Sequence, residues 1–250
     1  MDRSGCDPGG PADSVKSLMV SNYWSEAAAE KARRVEPDVI DLVFRIKARQ
    51  LPSDHAFALS TALQTALPWL VTEKKAAIHL IHGAQSSNGW QRPDDDGVIE
   101  LSGRTRLTLR LPHSRLDDAH ALIGQTLSLC GHALSIGDAR TRPISPLSTL
   151  FAHYIHVPAT AEAEPQFLEA AATWLEALSI IPRKMLCGRT RYLSTPQGPL
   201  VTRSLLVADL SPEEALRLQT EGLGDHRLLG CGVFVPSKSI AAVYDPEEEH

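Results

Sequence analysis

Apolar residues along this chain alternate between a period of two and a period near 3.6, and the switches come in the same order twice. Residues 39–47 (Val-Ile-Asp-Leu-Val-Phe-Arg-Ile-Lys) are rich in β-branched positions and predict a strand. Its end places Arg45, Lys47 and Arg49 on one face and Ile46 on the other. Pro52-Ser53-Asp54 then predicts a helix start with Ser53 or Asp54 as the cap, and Phe57, Leu59, Leu63, Ala66 and Leu67 recur at threes and fours until Pro68 stops the pattern. Residues 76–82 predict a second strand, and residues 83–97 a loop of Ser, Asn, Asp and Gly. Residues 104–111 predict a third strand, with Arg104, Arg106 and Arg110 opposite Leu107, Leu109 and Leu111. A short helix over 114–122 and a strand or hairpin around Gly131 over 126–136 complete a β-α-β-β-α-β unit, the ferredoxin-like order.

Pro143 and Pro146 mark a linker, and the order then repeats. Strands are predicted over 149–157, 184–193, 200–206 and 228–235. Helices are predicted over 163–178, carrying Phe167, Leu168, Trp174 and Leu175, and over 211–220, opened by Ser211-Pro212-Glu213-Glu214. The fold class that follows is α+β, two tandem ferredoxin-like domains. Residues 38–142 form the first and 143–240 the second. An extension over 1–37 holds a predicted amphipathic helix at 15–34, and 241–250 is an acidic tail.

Composition narrows the partners. With 43% apolar residues the chain has material for real cores, and no run approaches the roughly 18 apolar residues of a membrane span, so no membrane partner is expected. Four scattered cysteines with no C-x-x-C pair, and no basic-then-apolar leader, fit a reduced, cytoplasmic setting. The net charge is −5, yet Asp94, Asp95, Asp96, Asp245, Glu247, Glu248 and Glu249 sit in two predicted loops, and the remainder of the chain is +2. Nucleic-acid binding depends on local positive surface, so the composition permits RNA without predicting it.

The densest local signal is Gly222-Leu223-Gly224-Asp225-His226-Arg227-Leu228-Leu229-Gly230-Cys231-Gly232. Glycine permits tight turns and also close approach of a phosphate chain to backbone N–H groups, and both readings stand. The loop runs from helix to strand, the reverse of a dinucleotide fingerprint, and no phosphate-binding P-loop occurs, so no nucleotide cofactor is expected. Arg189, Arg191, Arg203, Arg227 and Lys238 read either as solvated strand faces or as one phosphate-holding surface with Gly222, Gly224, Gly230 and Gly232. His55 opens a helix beside a basic strand end; it either covers the helix terminus or serves as a poised acid or base. His79-x-x-His82 and His153-x-x-His156 have the look of metal pairs, but residues three apart on a strand face opposite ways and no carboxylate or cysteine joins them, so no metal site is expected. His132 and His226 read as turn residues.

Taken together, Arg49-Gln50-Leu51-Pro52-Ser53-Asp54-His55-Ala56-Phe57-Ala58-Leu59, the second opening Arg142-Pro143-Ile144-Ser145-Pro146-Leu147, the strands Lys184-Met185-Leu186-Cys187-Gly188-Arg189 and Thr202-Arg203-Ser204-Leu205-Leu206, and the closing glycine stretch through Gly232-Val233-Phe234 resemble the CRISPR-associated repeat-processing endoribonucleases, the Cas-six family of the RAMP superfamily, in its divergent type I subgroup. The resemblance covers about residues 38–240. It implies tandem ferredoxin-like domains that bind CRISPR repeat RNA, often as a stem-loop, and cut it once without a metal or cofactor. The RNA's 2′-hydroxyl attacks the neighbouring phosphate, leaving a 2′,3′-cyclic phosphate and a 5′-hydroxyl. His55 matches the histidine that assists proton transfer at the start of the first helix. Arg49, Arg189, Arg191, Arg203, Gly222, Gly224, Arg227, Gly230, Gly232 and Lys238 match the RNA-holding surfaces. The tyrosine and lysine that complete the family's triad have no assigned counterpart, and Lys47 or Arg49 is the candidate to stabilise the pentacovalent phosphate. Other subunits of a type I surveillance complex are implied partners. The rival readings are a repeat-RNA-binding subunit that caps such a complex without cutting, and a metal-dependent ferredoxin-like enzyme.

Overall fold

A computed structural model describes residues 37–83 and 97–237, and in it the strand predicted first is the centre of the first sheet. β1 (Val39–Lys47) pairs antiparallel with β5 (Arg106–Pro112) on one side and β7 (His132–Arg142) on the other. β3 (Ala77–His79) lines the far edge of β5, and β6 (Thr126–Leu129) folds back onto β7 around Cys130 and Gly131, both at positive φ. The order β3-β5-β1-β7-β6 is the ferredoxin-like arrangement with one extra outer strand. β2 (Gln50–Pro52) and β4 (Val98–Glu100) make a separate short ribbon. The second half repeats the arrangement as β11-β8-β10-β9, built from β8 (Leu150–His156), β9 (Lys184–Thr195), β10 (Gly198–Ala208) and β11 (Phe234–Pro236).

Helices cover one face of each sheet. α1 (Ala56–Ala66) buries Ala56, Leu59 and Leu63 against Leu42, Phe44, Ile78, Leu107 and Leu109. α2 (Leu116–Ala119) is one turn within a run of 3₁₀ turns over 113–122. α3 (Glu164–Ala177) and α4 (Pro212–Glu221) lay Phe167, Ala171, Leu175, Ala215 and Leu218 on Leu150, Ala152, Ile155, Leu205 and Val207. Each fully buried Leu or Phe contributes about 1.5–3 kcal/mol by leaving water. Ser211 caps α4 as predicted, its hydroxyl accepting from the Glu214 N–H while the Glu214 carboxylate accepts from the Ser211 N–H. Among the described residues no helix is long and apolar enough to cross a membrane.

β1 is buried on both faces, Leu42 and Phe44 under α1 and Val39, Asp41 and Val43 on the opposite face, where Asp41 holds Arg110 at the contact with the second half; this is why its sequence reads as an almost unbroken apolar run. Both halves lie in one compact unit that begins at Pro37, and Tyr154, Leu193 and Cys231 of the second half join the core of the first. At the centre of the interface Arg110, predicted on a polar strand face, is instead 1% exposed. Its guanidinium donates to both Asp41 carboxylate oxygens, at 2.8 and 3.3 Å, and across the interface to the carbonyls of Gln219 (3.1 Å) and Phe234 (2.8 Å).

Two local expectations are corrected. Neither Ser53 nor Asp54 caps α1: His55 takes the cap position without a side-chain cap bond, and Asp54 Oδ2 accepts the Ser194 N–H from the second half at 2.7 Å. The last predicted strand is shorter than residues 228–235, because Gly230 and Gly232 take left-handed φ of +83° and +68°, which breaks extension. Arg227–Leu229 is a 3₁₀ turn, and only Phe234–Pro236 pairs with β8. The predicted helix at 15–34, most of the 83–97 loop and the tail lie outside the described residues.

Candidate active site

The site begins with a backbone irregularity at Ser204. On β10, Arg203 pairs with Ile155 of β8 and Leu205 with Ala152, so His153 and Tyr154 together oppose the single residue Ser204. The same happens on the other side, where Gly188 and Arg189 of β9 oppose Ser204. A bulge shifts the alternation of side chains by one, and bulges re-aim side chains where a sheet carries function. A Cβ at Gly188 would meet the Ser204 hydroxyl, which would have to rotate aside. Beyond the bulge Leu193, two residues after Arg191, packs into the core of the first half.

This face of β8 and the segment after β3 enclose a small open pocket lined by His79, Leu80, His82, His153, Tyr154, Gly230, Val233 and Val235. The imidazoles of His82 and His153, one from each half, lie with centroids 4.4 Å apart and planes tilted by 43°. His79 Nε2 is 3.5 Å from Asp41 Oδ1, linking the pocket to the Asp41–Arg110 pair.

Burial and positive neighbours dominate the electrostatics. Burial lowers the proton affinity of His82 well below the ordinary imidazole range, and His153, His55, His79 and Arg191 push the same way. His153 is held down at about 4 by burial, then by Arg191 and His79. His79 is lowered by burial, against the opposing pull of Asp41. Burial would raise Asp41, but His79 and Arg110 overcome it and hold the carboxyl far below the usual range. The pair His82–His153 is therefore a set of neutral imidazoles in a positive field. Among the described residues no group of three or more His, Cys, Asp or Glu is arranged to hold a metal ion.

With the geometry in view, comparison with known proteins is decisive: the family model described as Cas6 CRISPR matches residues 40–239. The chain belongs to the Cas6 family. A curated relative, the CRISPR-associated endonuclease Cas6 of Myxococcus xanthus (strain DK1622), is 27% identical over 229 residues, 92% of this chain and 91% of that protein. Two solved structures share the fold. One is a CRISPR associated protein Cas6 (TM-score 0.56, 10% identity, 80% of this chain and 100% of that chain). The other is a RAMP protein binding different RNA substrates (TM-score 0.53, 12% identity, 78% and 98%).

Against this Cas6 framework the residues singled out in the sequence separate into groups. His55 is only 3% exposed and turned inward. Its Nδ1 lies 2.9 Å from the Pro52 carbonyl and its Nε2 accepts the Ile81 N–H at 3.1 Å, an arrangement that suits the neutral tautomer protonated at Nδ1. The ring thus fastens the chain segment that ends in His82. Arg49 and Arg189 are exposed and Arg191 is half-buried beside the histidine pair. Arg203 donates to the Gly188 carbonyl (3.2 Å), the Cys187 Sγ (3.5 Å) and the Glu162 carbonyl (3.1 Å), bracing the bulged strands. Arg227 donates to the Thr220 and Glu221 carbonyls at the end of α4, and its Nε and Nη2 are buried with no acceptor in the protein. Burial brings its proton affinity down to about 10. Lys238 lies outside the described residues.

The glycine loop is first a packing device. Gly222, Leu223, Leu229, Gly230, Cys231 and Gly232 all donate their N–H groups to carbonyls inside the protein, that of Gly232 to Tyr154. A Cβ on Gly230 would meet Leu80 Cγ at 2.5 Å, so the loop touches the first half directly at the pocket wall. His82 and His153 are the residues that sequence reasoning set aside. Spacing weighs each H-x-x-H pair within its own strand, whereas the pocket brings His79 and His82, the latter beyond the end of β3, together with His153 of the other half.

Proposed function

We propose that this Cas6 protein binds CRISPR repeat RNA, as a stem-loop, and cleaves precursor transcripts into guide RNAs without a metal ion. The 2′-hydroxyl loses its proton to a base and forms a bond to phosphorus, while the bond from phosphorus to the 5′-oxygen breaks and that oxygen takes a proton from an acid. The products carry a 2′,3′-cyclic phosphate and a 5′-hydroxyl. The observation that carries this reading is the pocket lined by His79, His82 and His153 from both ferredoxin-like halves, with His55 and Arg191 near enough to bear on it electrostatically, in a family whose curated relative is an endonuclease. Neutral imidazoles accept a proton near neutral pH, and a positive field favours the charge that builds on a pentacovalent phosphate. Arg49, Arg189, Arg191, Arg203, Arg227, Lys238 and the glycine loop at Gly222, Gly224, Gly230 and Gly232 would line the path of the RNA, and His55, expected from the sequence as the acid or base, would act on the reaction through the segment it holds at Ile81. Other subunits of a type I CRISPR surveillance complex are the expected protein partners.

A second reading has its own support. The buried His55 ring, with both nitrogens on backbone groups, suits a subunit that grips the repeat and does not cut. Incubating the protein with its cognate repeat RNA in EDTA separates the two. A single cut whose upstream fragment ends in a cyclic phosphate by mass spectrometry is the expected result. Tight binding with intact RNA would transfer the case to the non-cleaving subunit, and absence of binding would end both readings.

A further inference from the structure

We propose that His82 and His153, one from each half of the molecule, are the proton-transfer couple of the cleavage step, with Arg191 beside the scissile phosphate and His55 as a positioning residue. This rests on the endoribonuclease reading above.

Three observations meet at the pair. The rings are 4.4 Å apart across the two halves and both line the open pocket, so one phosphodiester entering there reaches both. Among the described residues His55, His79 and Arg191 bear on them electrostatically, and the Asp41 carboxylate beside His79 is engaged by Arg110, Arg142 and His79. A packing role alone would be filled more cheaply by apolar side chains, since burial and these positive groups make an imidazole harder to charge. The backbone is also committed to the arrangement: the bulge opposite Ser204 sets His153, and His55 holds Ile81, the residue before His82.

The chemistry balances with two imidazoles. One, neutral, accepts the 2′-hydroxyl proton as the 2′-oxygen bonds to phosphorus. The other, protonated, donates to the 5′-oxygen as its bond to phosphorus breaks. The rings exchange protonation states over the reaction, and solvent restores them. The free pair is neutral, close contact disfavours two charged rings, and the bound phosphate anion favours the singly protonated form that reacts.

The test uses the full-length protein in single-turnover cleavage of its repeat RNA, with His82→Asn, His153→Asn and His55→Gln. A second substrate carries sulfur in place of the 5′-bridging oxygen at the scissile phosphate; a thiolate leaves without a proton. Each Asn variant is expected to cut at least ~100-fold more slowly with RNA affinity retained, and one of the two to recover on the sulfur substrate. His55→Gln is expected to lower the rate and the melting temperature without changing the shape of the pH–rate profile. Should an Asn variant melt below the assay temperature, the wild-type profile decides. A couple gives a bell on the oxygen substrate and only the ascending limb on the sulfur one, and a profile unchanged by sulfur overturns the assignment. Wild-type rates in both Asn variants would also overturn it while leaving the endoribonuclease intact. RNA that is bound but uncut by wild type would instead remove the reading on which it rests.

Discussion

The Arg110 guanidinium on β5 grips the Asp41 carboxylate on β1 at 2.8 Å and, with its remaining N–H groups, the carbonyls of Gln219 and Phe234 in the other half of the molecule. One side chain thereby ties the first sheet to both the end of α4 and the start of β11. Because the pocket is made from both halves, its geometry depends on this contact. Removing one partner leaves a charge buried alone. Arg110→Ala and Asp41→Ala are each expected to cost about 3–5 kcal/mol in urea denaturation. The Asp41→Leu/Arg110→Met double variant is expected to cost less than either.

Stability is expected to fall on the acid side of neutrality. His79, His82 and His153 bind protons less readily folded than unfolded, so the unfolded chain takes up more protons between them. Their contribution is full above the ordinary histidine value of 6.5 and is lost as pH falls, for His153 down to about 4. Asp41 adds a later loss, below the ordinary carboxylate range, because its carboxyl is lowered on folding. Thermal unfolding from pH 8 to pH 4 checks this. The midpoint should decline through the histidine window, with a shallower slope in His153→Asn.

Glycine to alanine exchanges should divide by what surrounds them. Gly131 has φ +85° with nothing within 4 Å of an added Cβ, so Gly131→Ala should cost about 1–2 kcal/mol from backbone strain alone. Gly232 has φ +68° and a Cβ there would run into the Leu223 carbonyl, which is backbone and cannot swing aside. Gly232→Ala is expected to cost clearly more than Gly131→Ala in the same denaturation assay.

The arginines should separate by how far they are buried. Arg189 is exposed, where a surface contact is worth little, and Arg189→Ala is expected to shift the melting temperature less than Arg203→Ala while reducing the salt dependence of RNA binding by about one phosphate contact. Arg203 braces Gly188 and Glu162, so Arg203→Ala should lower the melting temperature as well as the affinity. Filter binding across a salt series, beside a thermal melt, distinguishes the two patterns.

Much of the architecture was already local in the sequence. The β-branched run of β1, the threefold and fourfold spacing in α1, α3 and α4, and the Ser211–Glu214 capping box act over a few residues, and a doubled β-α-β-β-α-β order follows from them. Motifs of the same range carried the family resemblance. What no local rule reaches is a relationship between distant segments. Nothing near Arg110 in sequence marks it as buried, because its partners are Asp41, Gln219 and Phe234. Likewise, strand alternation sets His79 apart from His82 and His153 from His156, yet β3 ends at His79 and the bulge opposite Ser204 shifts the alternation of β8, so the rule does not hold across either pair. The docking of the halves makes a pocket from His79 and His82 of one and His153 of the other, because Tyr154, Leu193 and Cys231 leave water only by entering the core of the first half.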